Sequence, residues 1–388
     1  MLTQKAKNLP PPDHAAAIHS KKLVNHLNKR LAKRPLSFAE FMQEALYAPG
    51  LGYYQVGTHK LGQGGDFTTA PEISPFFGSC LAIQCAEILN NTSGKNILEF
   101  GAGTGKLAAD ILQQLKKLKQ LPHRYFILEI SPDLQQRQLT YFQQEHPELL
   151  QYIEWITELP CTFSGAMLAN EVIDAMPVNI FHWDGKTLNE QYINRENDRF
   201  VWQLGTASAE VRNAFIKIVN SVDIAQWQLP YQSEVNLYIP GWINSLNASL
   251  QDGAILLIDY GFTRQSYYHA ERKQGTLMCH YQHQAHTNPL ILLGLQDITA
   301  HVDFTAVIET ASHVGLTLEG FVTQANFLLN TNLTDLMSSQ PLSLNEKTAI
   351  KRLIMPNEMG EKFKVMGLSK NYVSPLKGFS LNDISHKL

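Results

Sequence analysis

From residue 96 onward the hydrophobic positions of this chain fall into two alternating patterns. Ile97, Leu98 and Phe100 form a short apolar run, after which Leu107, Ala108, Ile111, Leu112, Leu115 and Leu118 recur at the spacing of one helical face. A second apolar strand, Tyr125 to Ile130, precedes a helix over Pro132 to Glu145, and Tyr152 to Ile156 and Ala166 to Ala169 supply further short strands. Strands alternating with amphipathic helices predict an α/β fold, a parallel sheet with helices on both faces whose ligands lie beyond the carboxyl ends of the strands. The alternation breaks at 180 to 235. There Asp184-Gly185 marks a hairpin between Asn179 to Trp183 and Leu188 to Ile193, Arg199 to Leu204 adds a strand, and Val211 to Val222 is helical. That stretch predicts an inserted subdomain bearing on the substrate. A helix over Trp242 to Leu250 and the strongly apolar strand Ala254 to Gly261 resume the main pattern. Asp297 to Asp303 with a helix to Val314, the run Leu316 to Leu329, a helix around Glu346 to Ile354 and a last strand, Phe363 to Leu368, complete it.

Ahead of this unit the periodicity is helical. Leu23, Val24, Leu27 and Leu31 share one face within residues 1 to 35, which carry eight Lys or Arg and one acid, Asp13. A basic, acid-poor start can be an organelle-targeting segment, but the charges are mostly lysine and Pro10 to Pro12 interrupt it, which favours a surface helix. Ser37 reads as the N-cap of a helix over Phe38 to Leu46, ended by Ala48-Pro-Gly-Leu-Gly52. Leu61 to Ser79 crowds four glycines, two prolines, two threonines and two acids together. Such a stretch is either a rigid surface loop leading into a helix over Phe76 to Leu89 or a lid over the glycine turn that follows. The expected organisation is a helical N-terminal region over 1–90, a main domain over 91–388 and an insertion over 180–240.

Composition narrows the function classes. At 388 residues and 44% hydrophobic the chain can bury a sizeable core, and a net charge of −3 gives it no general attraction to nucleic acid or anionic membrane. Four scattered cysteines make no disulfide framework, and no apolar run approaches the roughly 18 residues that cross a bilayer. The expectation is a soluble protein of a reducing compartment, the cytoplasm, or the mitochondrion in a eukaryote.

The chemistry gathers where the strands end. Glu99 precedes three alternate glycines, Gly101, Gly103 and Gly105, which open a helix. Glycine there allows positive φ and lets a ligand touch bare backbone, beside the free N–H groups of the helix's first turn. The spacing is neither the G-x-G-x-x-G dinucleotide fingerprint nor a P-loop. Glu129, at the end of the second strand, stands where an acid either accepts hydrogen bonds from ribose hydroxyls or caps the next helix from the surface. Together these features indicate an adenosine-containing ligand without separating NAD from S-adenosylmethionine. Asn170, Glu171 and Asp174 follow the fourth strand, placed either to touch a reacting group or to cap a short helix. His280, His283 and His286 lie three apart beside Cys279 but match no zinc module, so hydrogen-bonded structure is expected there and no metal.

Read together, G-D-F-T-T-A-P-E-I-S (65 to 74), L-E-F-G-A-G-T-G (98 to 105), N-E-V-I-D-A-M-P-V (170 to 178), I-D-Y-G (258 to 261), G-T-L (275 to 277) and D-I-T-A-H-V-D-F (297 to 304) resemble, in order, the MidA family of S-adenosylmethionine-dependent methyltransferases. The family includes the mitochondrial arginine methyltransferase needed to assemble respiratory complex I. The resemblance implies a Rossmann-like class I methyltransferase sheet whose last strand is antiparallel, S-adenosyl-L-methionine as cofactor, and a protein-arginine substrate such as a complex I subunit. It implies that the glycine turn binds the methionine part, that Glu99 lies near the amino group and Glu129 at the ribose, and that Asn170, Glu171 and Asp174 lie beside the transferred methyl. Asp66, Thr69 and Glu72 belong to the matching signature loop. Of these, Glu171 and Asp174 are the expected catalytic residues, Glu171 holding a guanidinium together with Asp174 or with an acid of the loop, Asp66 or Glu72. Phe100 replaces the family's more usual Leu, and 185 to 250 resemble nothing specific. A nicotinamide-dependent oxidoreductase and a non-catalytic assembly chaperone are the alternatives, and a homodimer is left open.

Overall fold

In the computed structural model of the chain, residues 9–55 and 69–388 are described. The central sheet has eight strands, seven of them in one continuous order, β1 (Asn96–Phe100), β2 (Tyr125–Leu128), β3 (Ile153–Ile156), β4 (Phe163–Asn170), β5 (Leu250–Phe262), β6 (Thr317–Thr323) and β7 (Phe363–Lys370), while the short Val302–Asp303 pairs parallel with the end of β5. Their spatial order is β6-β7-β5-β4-β1-β2-β3. The pairs from β3 across to β5 are parallel, and β7 runs antiparallel to both β5 and β6. This is the class I methyltransferase sheet expected from the sequence. The middle strands are buried on both faces, which is why β4 and β5 read as continuous apolar runs.

Helices cover both faces. Pro75–Asn90 and Lys106–Lys117 pack on one, through Phe77, Leu81, Ile111 and Leu115, while Ile239–Ser249 and Phe304–His313 pack on the other through Ile243, Leu246, Phe304 and Val307. Chain direction reverses between β1, which leads outward to β2 and β3, and β4, which leads the other way to β5. The carboxyl ends of β1 and β4 therefore diverge and leave a crevice at the switch point.

The N-terminal helices and the inserted strands make one roof over that crevice. Ser37 caps the helix Phe38–Tyr47 and forms a capping box with Glu40. The two-residue strand Leu36–Ser37 pairs with Leu188–Glu196, Leu36 opposite Ile193. It thereby joins an antiparallel sheet with Asn179–Trp183, Arg199–Thr206 and Tyr231–Val235. Leu23, Leu27, Phe38 and Phe41 from the N-terminal helices pack with Ile180, Ile193 and Trp202 of that sheet.

Among the limits that differ from expectation, those of two helices have a local cause. The helix expected over Trp242 to Leu250 starts at Ile239, because Pro240 sits in its first turn, where no N–H is needed, and the Asn236 side chain takes the N–H groups of Tyr238 and Ile239. Leu250 opens β5 instead of closing that helix. The helix expected over Val211 to Val222 spans Ala209–Val219, set by Ser208 as its N-cap. Among the described residues no helix is long and apolar enough to cross a membrane.

Candidate active site

A cavity of about 380 Å³ opens at the carboxyl ends of β1 and β4, within the usual size range of small-ligand sites. Its floor is the glycine turn. Gly101, Gly103 and Gly105 all have positive φ, and a Cβ built on exposed Gly101 would meet nothing within 4 Å. At that residue the backbone is bare toward the cavity. Gly105 plays a different part from the one expected. It is buried at the head of the helix Lys106–Lys117, a Cβ there would press on Phe142 at 3.2 Å, and it does not line the cavity. Its glycine is required by φ +86° and by the packing of the neighbouring helix Pro132–Glu145.

Two acids flank this floor. Glu99 is 2% exposed and accepts the Tyr125 hydroxyl at 2.7 Å. Burial pushes its carboxyl up to about 7, with the charge of Glu129 adding to the effect. Glu129 ends β2 and accepts the Ser131 N–H at 3.0 Å, and burial raises it as well. Gln138, not foreseen in the sequence, ties the two sides together. Its amide nitrogen donates to Gly103 O at 3.0 Å and lies 3.4 Å from Glu129, while Trp155 holds its oxygen at 2.8 Å.

The opposite wall follows β4. Asn170 places its Nδ2 3.4 Å from Glu171, and its buried Oδ1 has no hydrogen-bond partner among the described residues. Glu171 adopts φ +53°, a conformation a non-glycine side chain rarely takes, and its N–H is held by Ile258 O at 2.9 Å. Burial, then the charge of Asp174, pushes the Glu171 carboxyl up to about 8. Asp174, 5% exposed, is pushed up to about 6 by burial although it accepts the Tyr260 hydroxyl, and its Oδ1 lacks a partner among the described residues. Beneath them Asp259 of β5 accepts the N–H groups of Ile173 and Asp174 at 3.0 and 3.2 Å, so a buried carboxylate fixes the turn that presents the pair. Burial and the charges of Asp174 and Glu171 push Asp259 well up.

The roof closes over this wall. Tyr47 donates to Ala175 O at 3.0 Å, Tyr54 donates to Asp297 at 2.9 Å, and the two rings stack 5.4 Å apart. Trp242 meets Phe100 edge-on at 5.6 Å, so the aromatic that departs from the family pattern builds part of the wall. Thr69 and Glu72 line the near side, where Glu72 accepts the Thr104 hydroxyl. Asp66 and residues 61–68 of the signature loop lie outside the described residues.

His280 lines the cavity, and burial holds its imidazole pKa down. The hairpin Met278–Tyr281 and Gln284–His286 pairs Cys279 with His286 and His280 with Ala285, which separates the two histidines onto opposite faces, and His283 sits in the turn at φ +61°. Among the described residues no group of three or more His, Cys, Asp or Glu side chains could hold a metal ion. Tyr47, Tyr54, Gln138 and Trp242 went unread because their positions carry ordinary core signals. Asp259, Tyr260 and Asp297 lay inside quoted motifs that the sequence gives no role.

The donor set fits S-adenosylmethionine. The cavity combines bare backbone at Gly101, one buried acid from each of two neighbouring strands, Glu99 and Glu129, and the carboxyls of Glu171 and Asp174. A family model described as "Putative S-adenosyl-L-methionine-dependent methyltransferase" matches residues 80–322. The chain is similar to the mitochondrial protein arginine methyltransferase NDUFAF7 of Danio rerio, at 29% identity over 93% of each chain. It is also similar to the mitochondrial NDUFAF7 homolog of Drosophila melanogaster, at 30% identity over 91% of this chain and 87% of the other. A crystal structure of a superfamily member from Burkholderia thailandensis bound to S-adenosyl-homocysteine superposes with a TM-score of 0.93 at 37% identity, over 98% of this chain and 100% of that one. These likenesses disfavour the nicotinamide alternative and bear out the methyl donor. With its sheet order, its glycine-floored cavity and a family match over more than half its length, the chain belongs to the S-adenosyl-L-methionine-dependent methyltransferases.

Proposed function

We propose that this enzyme methylates a guanidinium nitrogen of arginine in a protein substrate, such as a respiratory complex I subunit. The observation that carries the reading is the wall of Glu171 and Asp174. Both carboxyls are pushed above their ordinary values, and neither has a Lys or Arg ion-pair partner among the described residues. A buried acidic pair without a counter-ion is complementary to a cation, and arginine stays charged at any physiological pH. The printed names of the Danio and Drosophila relatives, protein arginine methyltransferases, support the same substrate class.

When bound, S-adenosylmethionine supplies an electrophilic methyl group on a sulfonium. The roles proposed for this chain's residues follow from their places. Gly101 and Gly103 offer backbone to the amino-acid end, Glu99 lies toward its amine and Glu129 toward the ribose hydroxyls, and Asn170 steadies the donor beside the reacting centre. Thr69 and Glu72 belong to the near wall that excludes water. Glu171 and Asp174 bind two guanidinium nitrogens, draw positive charge toward them and leave the third nitrogen free to attack. The new N–C bond forms as the S–C pair stays on sulfur, and the proton shed by that nitrogen passes to Asp174 or to water.

The curated relatives are named as mitochondrial and not cytoplasmic proteins. The compartment that accompanies this reading is therefore the mitochondrion in a eukaryotic host and the cytoplasm otherwise. The test is incubation with methyl-labelled donor and a protein lysate, followed by acid hydrolysis and amino-acid analysis. Label in methylated arginine is the expected result, and label confined to lysine, carboxyl esters or small molecules would refute the assignment.

A further inference from the structure

Beside the active-site cavity lies a second one, of about 420 Å³, between the inserted sheet and the segment that follows β5. The two share their walls. Tyr260, His280 and Thr299 face the first cavity, and two residues away on each stretch Phe262, Met278 and His301 face the second. Two residues of extended chain cover roughly 6.6 Å, the repeat of same-face side chains in a polypeptide laid across both mouths. His301 forms the partition, stacked on Phe262 at 5.3 Å and edge-on to Tyr260 at 4.9 Å.

The chemistry of the second cavity is specific. Ile180, Trp202, Leu277 and Met278 supply apolar wall. Two buried polar atoms, Gln191 Oε1 and His301 Nδ1, have no hydrogen-bond partner among the described residues. The Gln191 amide nitrogen is 3.4 Å from Gln232, which leaves its oxygen for a ligand. Burial and the nearby Arg272 charge hold His301 neutral, at about 4. The Arg272 guanidinium lies 4.1 Å over the Phe262 ring and disfavours a second cation there. Glu234 is already engaged by the N–H groups of Thr276 and Leu277 and by the Thr276 and Tyr267 hydroxyls. The unmet demand is for a neutral group that both donates and accepts, carried on an apolar body. A peptide unit with an apolar side chain meets it.

We propose that the second cavity is a substrate subsite that holds the residue two positions from the methylated one, its apolar side chain against Trp202 and Met278 and its peptide group on Gln191 and His301. The inference rests on the protein-arginine reading above.

It is tested with a peptide library of fixed central arginine and randomised flanks, methylated with labelled donor and read by mass spectrometry. The variants are Thr287→Trp, which crowds the mouth from an exposed position, and Gln191→Leu. Affinity for S-adenosyl-homocysteine, measured by calorimetry, reports whether each is folded. The wild-type chain should enrich apolar residues at a position two residues from the arginine by at least about fivefold, and both variants should lose that enrichment with S-adenosyl-homocysteine affinity unchanged. Absence of enrichment in the wild type, or its survival in either variant, overturns the subsite alone. Failure of the wild type to methylate any library member contradicts the arginine reading, and the subsite with it.

Discussion

Replacing Glu171 with Gln keeps the side chain's size and removes its capacity to carry a negative charge, with two effects of opposite sign. In the free protein burial and Asp174 hold the Glu171 carboxyl at about 8 against an ordinary 4.5, so the folded chain keeps a proton that the unfolded chain releases. Stability linked to such a group is fully present below the unfolded value and declines as pH rises from about 4.5 toward 8. At ~1.4 kcal/mol per pH unit, discounted for the carboxyl's contact with the cavity, the decline at pH 7 is roughly 1–3 kcal/mol. The Gln variant escapes it. Its urea midpoint should match that of the wild type near pH 4 and exceed it at pH 8. In the reaction the same change removes an anionic acceptor for the guanidinium, at a cost of about 2–4 kcal/mol in the transition state. That corresponds to a roughly 30- to 1,000-fold lower kcat/KM. Affinity for S-adenosyl-homocysteine should stay within about threefold, since the floor and the ribose side are untouched. Turnover at the wild-type rate, or denaturation midpoints that run parallel to wild type from pH 4 to pH 8, would refute the reasoning.

Glu129→Ala removes the carboxylate at the end of β2, and losing hydrogen bonds to a charged group should weaken S-adenosyl-homocysteine binding by roughly 10- to 100-fold by calorimetry; unchanged affinity would move the ribose elsewhere. Gly101→Ala puts a methyl into open cavity space from a left-handed residue, so a fall in stability of about 1–2 kcal/mol should accompany a larger loss of cofactor affinity. A stability loss with full affinity would mean that the turn does not touch the cofactor. Tyr260→Phe deletes the hydroxyl whose hydrogen bond lowers the Asp174 pKa, so Asp174 should rise further above about 6 and the acid limb of the pH–rate profile should shift to higher pH. A limb that stays in place would separate Asp174 ionisation from turnover.

The sheet was legible because its strands are short apolar runs between amphipathic helices, and a parallel sheet buried on both faces leaves that imprint. The helix Pro132–Glu145 and the strand Asn179–Trp183 coincide with their expected limits, each having a strong local terminator, Ser131 with Pro132 at the first and Asp184-Gly185 after the second. What the sequence conceals is long-range pairing. Nothing in Leu36-Ser37 reveals that it meets Ile193 and Tyr192, since two residues carry no periodicity and the register is set by packing of Phe38 and Phe41 under the inserted sheet. The roof tyrosines were hidden for the same reason. Gly105 illustrates the converse, because a glycine at regular spacing was read as ligand contact when positive φ and the proximity of Phe142 account for it. The acids at the ends of β1, β2 and β4 were readable because a carboxylate after an apolar strand is costly unless it is used.

The central claim is that Glu171 and Asp174 are held partly protonated until a guanidinium arrives between them. It is tested most directly by titrating the S-adenosyl-homocysteine complex at pH 7 with an arginine peptide that the enzyme methylates, in buffers of differing ionisation enthalpy. The arriving cation should lower both carboxyl pKa values and release close to one proton per peptide bound, and Glu171→Gln should abolish most of that release. Binding with no proton release, or with uptake, would contradict the account.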